Sequence, residues 1–210
     1  MAELDELMEA KKEKGLDRIL ALSDGVFAFA LTLLVLDLAV PAFGSNQDIS
    51  ALPGLLAAEW PGFFSYFLSF TMIAVWWNTH HRYFEHVRSY DGELKALNFL
   101  VLMTIALVPF FTKLLDTWNS ISFAAVMYAV NQGAAGTSLS LTWRHIKEHR
   151  NLADTRLDRK TANRLQITSV IPPLIFFLSI PLCYISPVLA WVSWYAIFPI
   201  TIIARRRYNR

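Results

Sequence analysis

The chain has 210 residues, of which 55% are hydrophobic and 17% charged, with a net charge of +2 and a mean hydropathy of +0.38. A soluble domain carries about 25% charged residues, so this composition excludes a disordered chain, a nucleic-acid binder and an ordinary cytosolic enzyme. The lone cysteine, Cys183, excludes a disulfide framework and a cysteine-based zinc site.

Residues 1–17 are polar and of mixed charge, and predict a cytoplasmic N-terminal segment. A secretory signal is not expected, because the apolar run that follows is too long and no small-residue cleavage site closes it. Six stretches then reach the roughly 20 apolar residues that a bilayer-crossing helix needs. They are Ile19–Val40, Leu56–Asn78, Leu94–Leu115, Ile121–Trp143, Leu165–Tyr184 and Pro187–Ala204. The fourth is the weakest, diluted by Asn131, Gln132 and the Gly133–Gly136 run, which suggests either close helix packing or local flexibility. Residues 41–55 form the longest outer connection, Arg144–Arg164 a charged and helical cytoplasmic one, and residues 205–210 a basic cytoplasmic tail.

With the N-terminus inside, Lys113 alone of the 19 Lys and Arg residues falls on the outer side. Positive charge collects on cytoplasmic loops, and five or seven spans would scramble the pattern. The expected fold is therefore all-α: a polytopic membrane protein with six transmembrane helices over residues 18–204 and both termini cytoplasmic. Spans four to six do not echo spans one to three, so an inverted-repeat transporter is not indicated.

The first span carries two acids, Asp24 and Asp37. Ionisable residues within a membrane helix are costly and face a bundle interior or a water-filled path. At about 100° per residue, Leu22, Val26, Phe29, Leu33, Leu36 and Val40 form one apolar stripe, and Asp24 lies roughly opposite its centre. Either the stripe faces lipid and Asp24 faces protein, or the stripe faces a symmetry axis and Asp24 packs against the subunit's own helices. Spacing does not decide between them.

Arg18, Leu22-Ser23-Asp24 and the run Gly25–Leu36 resemble the first-helix signature Arg-x-x-x-Phe-Ser-Asp of the transmembrane-protein-175 family, the lysosomal potassium channels of animals and their bacterial relatives. Trp77-Asn78-Thr79-His80-His81 with Phe84 resembles the family's Trp-x-x-His-His segment, and Asn98 with Leu107–Phe111 its third helix. Leu22 stands where the motif has Phe. The resemblance covers residues 18–115, and the single six-helix copy is similar to the bacterial members.

It implies a homotetramer in the bacterial plasma membrane, conducting potassium in a leak-like manner through a pore lined by the first helix. By position from the Ser-Asp pair, the family's apolar constriction falls at Phe29, Leu33 and Leu36, with Thr32 beside them. Thr32, placed there by the resemblance, leaves two options, a hydroxyl ring at the neck or a bond to its own helix. Asp37 is expected at the pore mouth, as an acidic ring or a solvated helix-end carboxylate. Arg18, Ser23, Asp24, Trp77, Asn78, His80 and His81 are expected to form a polar network that orients the pore helix, since a carboxylate in a low-dielectric bundle needs donors.

No catalytic motif is present. His145 and His149 have the i, i+4 spacing of a metal pair but no third ligand nearby, so no metal site is expected. No cofactor is expected beyond the permeant potassium ion, and the expected partners are further copies of the chain and the lipid bilayer. The competing reading is a proton-coupled secondary transporter that uses Asp24 and the histidines of the second helix as a relay.

Overall fold

In a computed structural model of the chain, the described residues are 2–38, 40, 49–149, 151–197, 199–201, 203 and 204, with side chains described from Lys12 onward. The basic tail at 205–210 and most of the long outer connection lie outside them. The described elements are helical: α1 (Ala2–Leu36), a 3-10 turn (Ile49–Ala51), α2 (Leu52–Ala58), α3 (Trp60–Phe84), α4 (Gly92–Ala106), α5 (Val108–Thr117), α6 (Ser122–Glu148), α7 (Arg159–Ile185) and α8 (Pro187–Trp194). Three helical rods are long and apolar enough to cross a membrane, Lys12–Leu36, Gly92–Thr117 and Arg159–Ile185.

The helices differ from the apolar segments of the sequence in informative places. The polar lead-in continues α1 without a break, giving 35 helical residues and a rod about 52 Å long. The third apolar segment is two helices, because Pro109 lacks the N–H that would reach back one turn and its ring crowds that carbonyl. The connection expected to be helical over Arg144–Arg164 is corrected: α6 stops at Glu148 and α7 starts at Arg159. Between them the chain bonds sideways, with Arg88 N–H donating to Leu152 O and Asp154 N–H to His86 O, both at 2.8 Å. Asp158 then caps α7 by accepting from the Thr161 N–H.

The weak apolarity of α6 has a physical cause. It is the hub of the subunit, packing on α3, α4, α5, α7 and α8, so its polar residues can face protein, where Gln132 and Asn131 find side-chain or backbone partners on neighbouring helices. Gln132 Oε1 accepts from Trp76 Nε1 at 2.7 Å, and Asn131 Nδ2 donates to Thr104 O at 3.2 Å. The glycines serve packing. A Cβ on Gly136 would lie 2.8 Å from Pro173 Cδ and 2.9 Å from Trp76 Cη2. Gly136→Ala is therefore expected to destabilise the subunit by about 1–3 kcal/mol, read as a lower melting temperature in detergent. Gly133→Ala should cost less, because the ring it meets is the half-exposed Phe177, which has room to turn away.

The start of α4 is tied to the end of α6. Asp91 accepts from the Leu94 N–H at 2.7 Å as the N-cap, and His145 Nε2 lies 3.0 Å from its other oxygen. Desolvation pushes the Asp91 carboxyl up, but the Leu94 N–H and His145 outweigh it and hold it below the usual carboxylate range. A depressed carboxylate stabilises the fold at neutral pH, and that contribution disappears as pH falls through its lowered pKa. Asp91→Ala should thus cost about 1 kcal/mol at neutral pH. Thermal melts should show the gap to the parent protein closing only at pH values below the ordinary carboxylate range.

Candidate functional site

α1 packs on α3, α4 and α5 through one face. Ser23, Phe27, Ala30 and Leu34 recur at helical spacing and are buried. The apolar stripe lies about 110° around the helix from that face at 100° per residue. Phe29 is 64% exposed and Leu36 77% exposed, while Leu33 and Val26 are half-buried at its edge. Leu22, Val26, Phe29 and Leu33 line an open apolar groove with Ala106 of α4. The single subunit therefore leaves the stripe uncovered. Thr32 is exposed beside it, and its hydroxyl donates to Phe29 O at 2.8 Å, so the in-helix bond takes its hydrogen and leaves oxygen lone pairs outward.

The buried face carries a directional polar chain. His80 Nε2 sits 2.7 Å from Asn98 Oδ1, Asn98 Nδ2 donates to Ser23 Oγ at 3.0 Å, and Ser23 Oγ donates to Ile19 O at 2.8 Å. With Nε2 of His80 protonated, each of these contacts pairs a donor with an acceptor, and α1, α3 and α4 are stitched together. His80 is clamped between rings, with Phe84 stacked at 4.3 Å and Phe27 tilted at 5.6 Å. A second link joins α1 to α3 at the rim, where Trp77 Nε1 donates to Asp24 Oδ1 at 2.9 Å. Asp24 is exposed rather than buried against the subunit's own helices, because the face that packs is centred on Ser23 and Phe27.

The seven expected network residues are only partly brought together. Ser23, Asp24, Trp77 and His80 bridge the helices. His81 turns outward, stacks on Trp77 at 5.3 Å and meets Glu85 at 3.4 Å. Asn78 lies about 200° from His80 on α3 and lines a cavity against α6 and α7 instead. Arg18 is exposed, with no polar partner among the described residues. Asn98 is the centre of the chain and was not among the expected network residues. Its position on the Leu94, Asn98, Val101, Ile105 face of α4, the only polar residue there, is the signal that marks it.

Asp37 is corrected from a helix residue to a turn residue, since α1 ends at Leu36. Lys113 Nζ donates to Asp37 O at 2.9 Å and lies 3.5 Å from Asp116 Oδ2. A cation on the last carbonyls of a helix is favoured by the aligned peptide dipoles, so Lys113 pins the end of α1 to α5.

This arrangement has counterparts. Residues 18–109 match the family model described as endosomal/lysosomal potassium channel TMEM175. A potassium channel of Streptomyces collinus is 34% identical over 173 residues, 80% of this chain and 82% of that protein. A potassium channel of Chamaesiphon minutus is 31% identical over 206 residues, 97% of this chain and 100% of that one. The chain belongs to the TMEM175 family. The crystal structure of a lysosomal potassium-selective channel TMEM175 homolog from Chamaesiphon minutus superposes with a TM-score of 0.74 at 30% identity, over 94% of this chain and 100% of that one. The TMEM175 relatives are ion channels and not enzymes. The matched segment spans α1, α3 and α4, the helices joined by the Ser23–Asn98–His80 chain.

Proposed function

We propose that this TMEM175-family protein is a potassium-selective, leak-like channel of the bacterial plasma membrane, built as a homotetramer of six-span subunits with both termini cytoplasmic. The observation that carries the reading is the divided α1 helix. One face is locked to α3 and α4 by Ser23 and its partners, and the apolar stripe is left uncovered in the subunit. Around a fourfold axis the uncovered face meets its own copies. Phe29, Leu33 and Leu36 then form a hydrophobic neck, with Thr32 beside it and Asp37 at the mouth. An apolar constriction dewets easily, so an ion must shed water to pass. Potassium surrenders water more readily than sodium, and the neck favours it without a carbonyl cage.

The test is flux from reconstituted vesicles under potassium and sodium gradients. A channel passes potassium down its gradient, faster than sodium and with no coupled ion. The proton-coupled transporter is favoured by one observation, the exposed Asp24 carboxylate on a membrane helix. It requires fixed proton stoichiometry that Asp24→Asn abolishes. Stoichiometric coupling would reject the channel, and absence of any flux would reject both.

A further inference from the structure

Away from α1, a cavity of about 220 Å³ lies between α3, α6, α7 and the segment around Ile197–Thr201. Its polar end is made by Arg82, Asn78 and Thr201. Arg82 and Asn78 are four residues apart on α3 and so share a face. Arg82 is half-buried, yet among the described residues it has no carboxylate partner, and no acid lines the cavity. Asn78 has no hydrogen-bond partner among the described residues, and the Thr201 hydroxyl oxygen is fully shielded from solvent and also unpartnered. Asn78 is exposed and Arg82 half-buried, so it is the shielded Thr201 hydroxyl whose missing partner is costly and calls for an explanation. The other Thr and Ser residues here give their hydrogens to carbonyls of their own helices. The lining also includes the apolar Trp76, Leu139 and Ile197.

Three donor-bearing groups without partners among the described residues, one of them cationic, line a hollow that also presents hydrocarbon. We propose that this cavity binds an anionic amphiphile, an oxyanion head group carried on an acyl chain. Arg82 makes a forked charge-assisted contact with the oxyanion, Asn78 Nδ2 and the Thr201 hydroxyl donate to its remaining oxygens, and the chain leaves along the Trp76 wall. A membrane phospholipid supplies such a head, and in the topology proposed above the polar end lies at the cytoplasmic leaflet, where anionic lipids attract basic groups. The site does not touch α1, so it stands or falls independently of the conduction pathway.

The experiment is native mass spectrometry of the purified full chain in neutral detergent, titrated with phosphatidylglycerol, phosphatidylcholine or inorganic phosphate. Phosphatidylglycerol should be retained about tenfold more strongly than phosphatidylcholine. Arg82→Gln should erase that preference, Arg82→Lys, which keeps the charge but not the fork, should keep only part of it, and Thr201→Val should weaken retention severalfold. Arg88→Gln, which removes a surface cation paired with Asp154, should change nothing. The proposal is overturned if Arg82→Gln binds phosphatidylglycerol as the parent does, or if Arg88→Gln loses as much as Arg82→Gln. It is equally overturned if excess phosphate displaces the lipid, which would make the site one for a free anion. Arg82→Lys and Thr201→Val keep the proposal testable if Arg82→Gln fails to fold.

Discussion

Leu33→Ala should raise single-channel conductance and lower the potassium-over-sodium permeability ratio severalfold. The change removes three carbons from each copy of a ring that, on the proposed reading, forces ions to lose water. A wider neck holds more water and discriminates less between partly hydrated cations. The neighbouring residue gives the contrast. Leu34 is 1% exposed and faces the subunit's own core, so Leu34→Ala should cost about 2–5 kcal/mol of stability while leaving the permeability ratio of surviving channels unchanged. Bi-ionic reversal potentials measure the ratio. Parent-like conductance and selectivity in Leu33→Ala would remove the stripe from the pathway.

Asn98→Leu should cause the largest loss of stability of any single change in the polar chain. The substitution is nearly isosteric, so packing is mostly kept, but buried His80 loses the acceptor of its ring N–H. A stranded buried group costs about 1–3 kcal/mol. Ser23→Ala should cost less, because the Ser23 hydroxyl hydrogen goes to its own helix and Asn98 keeps its bond to His80. The coupling between Ser23 and Asn98 is expected to be about 0.5–1.5 kcal/mol, the scale of hydrogen bonds between membrane helices. A double-mutant cycle on melting temperatures in detergent reads it. Strictly additive losses would mean that the two residues act separately and that α1 is oriented by packing alone.

Asp24→Asn separates the two links between α1 and α3. Asparagine keeps an oxygen that accepts from Trp77 Nε1, and exposed polar pairs contribute little, about 0–1 kcal/mol. Assembly should therefore survive Asp24→Asn far better than Asn98→Leu, which makes the Asp24 variant a clean probe of proton coupling.

Some of this was legible in the residues and some was not. The helical class followed from apolar runs of about 20 residues punctuated by proline and charge, because local composition sets whether a segment can satisfy its backbone in lipid. The split of α1 into an apolar stripe and a polar side followed from its period. Which side packs did not. Ser23 and Asp24 are polar sequence neighbours, yet the first is buried against Asn98 and the second stays at the rim. That choice depends on where α3 and α4 lie. Asn78 could have been separated from His80 by angle alone, since two residues apart on a helix means opposite faces. The tie of the end of α1 to α5 runs from Asp37 to Lys113, a residue 76 positions away.

Sequence alone therefore determined the all-helical membrane class, the apolar stripe with Phe29, Leu33 and Leu36, and the motif residues that tie the chain to its family. These are properties of one helix or one segment, carried by periodicity and composition. Tertiary structure decided that Ser23 rather than Asp24 is buried, that Asn98 joins three helices, that Asn78 leaves the network for a cavity, and that α6 is the polar hub. Those outcomes depend on which faces of separate helices come within hydrogen-bonding distance, and a periodicity within one helix does not encode its neighbours.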